Sequence, residues 1–103
     1  MISDEARRCA ESVNIHLRIN GPSAIGRWVA IRLSDGGSDH NLYDSKSDAV
    51  RHQLNEFFCG YVCIPPNGMS EEDAQGWLRA MRRLYDAGFR IADPDKHVTM
   101  RPR

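Results

Sequence analysis

Apolar and polar positions follow several rhythms along this chain. From residue 3 to residue 20, Ala6, Cys9, Ala10, Val13 and Leu17 recur at helical spacing. Ser3 followed by Asp4 and Glu5 reads as a helix cap with acidic residues in the first turn, where unpaired amides favour negative charge. Asn20-Gly21-Pro22 reads as the stop, because glycine takes the left-handed cap and proline does not continue a helix. The same stretch also alternates: Val13, Ile15, Leu17 and Ile19 interleave with Asn14, His16, Arg18 and Asn20, as in a strand. Punctuation at both ends favours a helix over residues 3–20. Ile15 and Ile19 then fall away from Ala6 and Val13 and form a candidate homodimer face, since something must cover them.

Residues 22–26 read as a loop, and Trp28-Val29-Ala30-Ile31-Arg32-Leu33 as the clearest strand, β-branched and almost wholly apolar. Residues 34–39 form a turn in which Gly36 and Gly37 supply positive φ, and His40-Asn41-Leu42-Tyr43 returns as the second arm of a hairpin. Asp44 or Ser45 caps a helix whose apolar stripe is Ala49, Val50, Leu54, Phe57 and Phe58, ended by Gly60. Tyr61-Val62-Cys63-Ile64 is a short buried strand stopped by Pro65-Pro66, with a turn at Asn67-Gly68. Ser70, followed by Glu71, Glu72 and Asp73, caps the last helix. Its apolar face is Ala74, Trp77, Leu78, Met81, Leu84 and Tyr85. Gly88 ends it, and Phe89-Arg90-Ile91 is a candidate edge strand.

The order α-β-β-α-β-α predicts an α+β fold: an antiparallel hairpin and a further strand packed against amphipathic helices. At 103 residues the chain suits one domain, assigned to residues 1–95, with residues 96–103 as a basic tail. No stretch approaches the length and apolarity of a membrane span, and the acidic start Met1-Ile2-Ser3-Asp4-Glu5 does not resemble a signal peptide. The expectation is therefore a cytoplasmic protein without a membrane partner. Three cysteines, Cys9, Cys59 and Cys63, are then most simply reduced thiols.

Charge narrows the choice of partner. Fourteen basic and fourteen acidic residues cancel, so phosphate binding would need a local patch. Arg79, Arg82 and Arg83 on the outer face of the last helix, followed by Arg90, Arg101 and Arg103, supply the local basic surplus. That face is suited to an acidic protein partner or to nucleic acid. Glu72 and Asp86 share it, so a solvated face with i,i+4 ion pairs such as Arg82-Asp86 explains the pattern too. Asp35, Asp39, His40 and Asp44 surround the hairpin and form a candidate small-molecule site. Aspartate also suits turns and caps without any ligand.

Cys59 and Cys63 have zinc-like spacing, but a second tight pair is missing, and packed thiols explain them better. Trp28, Phe57, Phe58 and Trp77 sit at core spacing rather than as a stacking platform. There is no G-x-S-x-G, no glycine-rich phosphate loop followed by lysine, and no H-E-x-x-H. No cofactor, metal site or catalytic residue is therefore expected, and the enzymatic reading has no positive support.

The stretches at residues 26–39, 42–44 and 48–53, with Tyr61-Val62-Cys63-Ile64-Pro65-Pro66 and Tyr85-Asp86-Ala87-Gly88-Phe89-Arg90, resemble small accessory proteins encoded by phages of actinobacteria. The resemblance spans about residues 22–95 and carries no assigned activity, so no residue role transfers with it. It implies a setting, a phage gene product in a high-GC host, and the twelve arginines against two lysines suit that setting. The expected function is a non-enzymatic accessory protein that binds a host or phage macromolecule, as an inhibitor of a host process or defence. A nucleic-acid-binding module and a small-molecule or nucleotide binder are the alternatives.

Overall fold

The computed structural model describes residues 1–52 and 60–90. It consists of helix α1 (Asp4–Asn20), strand β1 (Trp28–Ile31), helix α2 (Lys46–His52), strand β2 (Gly60–Cys63) and helix α3 (Glu71–Asp86), with a 3₁₀ turn at Gly21–Ala24. This is a small α+β fold. The expected α-β-β-α-β-α order is followed except that the second β element is reduced to isolated bridges.

The long helices obey their punctuation. Ser3 Oγ accepts from the Ala6 amide at 3.1 Å, and Ser70 Oγ accepts from the Asp73 amide at 3.1 Å. Each hydroxyl thus satisfies an amide that the first turn of a helix leaves without an intrahelical partner. Gly21 at φ 60° closes α1 by donating to Leu17 O. The alternation of Val13, Ile15, Leu17 and Ile19 does not produce a strand, because the whole segment is helical.

β1 and β2 pair antiparallel, with Val29 opposite Val62 and Ala30 opposite Tyr61. Side chains on a strand alternate between faces, and both faces of this sheet are covered. Val29, Ile31 and Val62 join Ala6, Cys9 and Val13 of α1 and Trp77, Leu78 and Met81 of α3 in the main core. Trp28, Ala30 and Tyr61 face the other way, onto Ala49 and Val50 of α2. Gly60 opens β2, and it stands where a Cβ would meet Met81 and Trp77, so α3 packs tightly over this end of the sheet. Residues 53–59, through which the expected second helix would reach Gly60, lie outside the described residues.

Several local expectations change. Residues 40–43 do not form a strand; only Ser38 and Tyr43 bridge to β1, opposite Ile31 and Trp28. The cause is local. Asp39 Oδ1 accepts from the Asn41 amide, Ser38 Oγ accepts from the His40 amide, and His40 sits at φ 64°. Side chains that bond to nearby amides draw the backbone out of a ladder. Of the glycine pair, only Gly36 takes a positive φ, 76°. Residues 22–26 include part of the 3₁₀ turn, and Phe89 and Arg90 are not in a strand. Leu54, Phe57, Phe58, Cys59, Ile91 and the tail at 96–103 lie outside the described residues.

Candidate functional site

α3 carries the arginine face. Arg79, Arg82 and Arg83 are all exposed and lie within one turn of each other, on the side opposite the buried Ala74, Trp77, Leu78 and Met81. Among the described residues these three arginines form no ion pair; neither Glu72 nor Asp86 reaches them. Arg82 is anchored instead by donating to Leu33 O at 2.9 Å, which ties α3 to the residues just after β1. Arg90 belongs to the end of the helix. It lies 4.1 Å from the Tyr85 ring centroid and donates to Tyr85 O and Phe89 O. A cation at this end suits the unpaired carbonyls of the last turn.

The four residues grouped as a ligand site are distributed over different environments. Asp35 is a fastener of the turn after β1: it accepts from Arg32 Nε at 2.8 Å, from the Arg32 Nη2 at 3.0 Å and from the Gly37 amide at 2.9 Å. Arg8 of α1 approaches its outer oxygen at 3.5 Å. The Arg32 guanidinium holds the Asp35 carboxyl below the usual carboxylate range, with the Gly37 amide helping. Asp39 accepts from the Tyr43 hydroxyl, and Asp44 faces Arg27 at 3.4 Å. Asp39 and Asp44 border an open hollow of about 560 Å³ together with Asp48 and His52; His40 faces a second hollow, and Asp35 borders neither.

In the first hollow each carboxylate has a protein partner, since Asp48 pairs with Arg51 at 3.0 Å. His52 is stacked on Tyr43, centroids 5.6 Å apart. Among the described residues, no three imidazole, thiol or carboxyl groups come together as a set able to hold a metal ion. Cys9 and Cys63 are buried; Cys9 packs its Sγ 3.8 Å from Met69 Sδ, and burial pushes its thiol up to about 12. Such thiols are poor nucleophiles.

The second hollow, about 300 Å³, lies between α1 and the turn at 37–40. Arg8, Ser12 and Ile15 of α1 meet Arg32, Ser38 and His40 there. Helical spacing from Arg8 through Ser12 to Ile15 and His16 is visible in the sequence, but a polar stripe beside an apolar one reads as solvated surface, and so its burial is not foreseen. Ser12, His16 and Ser38 are nonetheless buried. His16 Nε2 has no hydrogen-bond partner among the described residues. Burial first, and then the charge of His40, lowers the His16 pKa from its ordinary value, against an opposing pull from Asp39.

Of the candidate dimer face, Ile15 is half-buried in the wall of this hollow and Ile19 is 74% exposed. The described residues include no helix long and apolar enough to cross a membrane. Comparison of the chain with protein-family models, with curated proteins and with solved structures gives no match.

Proposed function

We propose that this domain works as a binding protein, without catalysis of its own, and that α3 presents the contact face to an acidic surface of a protein partner. The observation that carries this reading is that Arg79, Arg82 and Arg83 share one exposed face with no ion pair among the described residues. Three guanidiniums in one turn repel each other weakly in water and gain most when carboxylates meet their planar donor forks. Arg82 is positioned by Leu33 O, which fixes the face relative to the sheet and lowers the cost of ordering it on binding.

In the setting that the phage resemblance implies, the partner is a host or phage macromolecule in the bacterial cytoplasm. Nucleic acid could use the same donors on phosphates, but the zero net charge of the chain favours a protein with a confined acidic patch. The test is affinity capture of the tagged chain from an actinobacterial lysate, with and without nuclease, beside an Arg79→Glu/Arg83→Glu variant. A protein held by the wild type after nuclease and released by charge reversal supports the reading. Capture that vanishes with nuclease transfers the face to nucleic acid, and capture unaffected by charge reversal removes α3 as the contact face.

A further inference from the structure

The hollow between α1 and the turn at 37–40 is lined by hydrogen-bond donors that the protein itself does not use up. Ser12 and Ser38 are 7% and 8% exposed, yet both border the hollow. Ser12 Oγ has no hydrogen-bond partner among the described residues, and Ser38 Oγ accepts from the His40 amide, which leaves its own proton to donate. A hydroxyl that opens onto a hollow without a protein acceptor is available to one from a bound molecule. Arg8 spends one N–H on Asp35 at a long 3.5 Å, and the His40 imidazole makes no hydrogen bond among the described residues.

The framework behind these donors is stiff. Asp35 grips Arg32 with both oxygens, and Gly37 lacks the Cβ that would lie 2.9 Å from Arg32 Nη2. His40 is held at φ 64°, a backbone conformation that non-glycine residues adopt sparingly and that clusters at ligand-holding sites. A turn further along α1 from Ser12, His16 Nε2 is a buried polar atom without a partner among the described residues, and it feels the charge of His40.

From these observations we infer that the hollow bordered by Arg8, Ser12, Arg32, Ser38 and His40 is a binding site for a small phosphomonoester. Four side chains with free donor capacity converge from α1 and the turn, and a terminal phosphate offers them several acceptor oxygens on one compact group. A volume of about 300 Å³ suits a small metabolite rather than a polymer. Arg8 and Arg32 are set against Asp35 and the rim residue Glu11, so recognition rests on directed donors more than on net charge. The site is separate from the arginine face of α3.

The test is a titration of the isotope-labelled chain with inorganic phosphate, ribose 5-phosphate and ribose at constant ionic strength, followed by amide NMR. Both phosphates should shift Ser12, Gly37, Ser38 and His40 saturably, and ribose alone should not. Arg8→Met removes an exposed side chain and should weaken binding by about tenfold, the usual worth of a charge-assisted hydrogen bond. Arg79→Glu should leave the titration unchanged. Shifts that do not saturate, shifts centred elsewhere, or full affinity in Arg8→Met would overturn the inference.

Discussion

Gly36 lies directly against the backbone of Glu5. A Cβ at position 36 would collide with the Glu5 carbonyl and come within 3.1 Å of the Cys9 amide nitrogen, and Gly36 also sits at φ 76°. The turn after β1 is therefore docked onto α1 through a position that tolerates no side chain, and this contact shapes the small hollow. Gly36→Ala should destabilise the fold by about 3 kcal/mol, the sum of a left-handed alanine and an overpacked contact. Gly76 in the middle of α3 has open space around it and ordinary helical geometry, so Gly76→Ala should stabilise by about 0.5–1 kcal/mol. Urea unfolding of the two variants should give midpoints on opposite sides of the wild type.

Asp35 makes a pH-dependent contribution of known sign. Its folded pKa lies below the ordinary 3.8, so the stability it confers is present above that value and is lost as pH falls through the folded pKa. Asp35→Asn should be less stable than the wild type at pH 7. The gap should hold down to about pH 5 and then close under more acid conditions. A gap that stays constant to the lowest pH at which the protein folds would mean that the carboxylate charge is not what fastens Arg32 and Gly37.

His16 titrates in the opposite chemical sense with the same consequence for stability. Burial keeps the folded protein from taking up the proton that the unfolded chain binds, so its folded pKa falls below the ordinary 6.5. Stability tied to His16 is therefore complete above that value and declines as pH drops through it toward the folded pKa. The His16 ring proton resonance should show a midpoint below 6.5, and a midpoint at or above it would place the ring in water. His16→Leu should flatten the part of the stability profile that falls just below pH 6.5.

Much of the fold is legible because the signals are local. Ser3 and Ser70, each followed by acidic residues, mark helix starts that the structure reproduces as hydroxyl caps. The apolar face of α3 reads directly from Ala74, Trp77, Leu78 and Met81. Strand pairing is less legible, since no local pattern tells Trp28–Ile31 to choose Gly60–Cys63, about thirty residues away, over the nearby return arm. The return arm fails through Ser38 and Asp39, whose side chains bond to the backbone two residues on; these are the same turn-forming residues that suggested a hairpin.

The candidate sites divide along the same line. Exposure of Arg79, Arg82 and Arg83 follows from helical periodicity alone, but whether Asp86 neutralises Arg82 depends on side-chain geometry, and Arg82 turns to Leu33 O instead. Asp35, Asp39, His40 and Asp44 are neighbours in sequence, yet the turn sends them to different surfaces. The donor-lined hollow is hidden in the sequence because its two walls are more than twenty residues apart and its residues are polar. Burial of Ser12 and His16 is a property of the docked turn, not of α1 by itself.

Stability and binding should separate on α3. Arg79 and Arg83 make no ion pair or hydrogen bond among the described residues, so replacing either with alanine should change stability by no more than about 0.5 kcal/mol. Arg82→Ala removes the bond to Leu33 O and should cost about 1 kcal/mol. Thermal unfolding of the three variants gives the comparison, and equal losses at all three positions would mean that the whole face is structural.

The most direct measurement is partner capture by the wild type and by Arg79→Glu/Arg83→Glu, after both have been shown to unfold at the same temperature. Retention of a nuclease-resistant protein partner by the wild type, with at least a tenfold loss in the charge-reversed chain, is the predicted result. Equal recovery of that partner by both chains would contradict the assignment of α3 as the contact face.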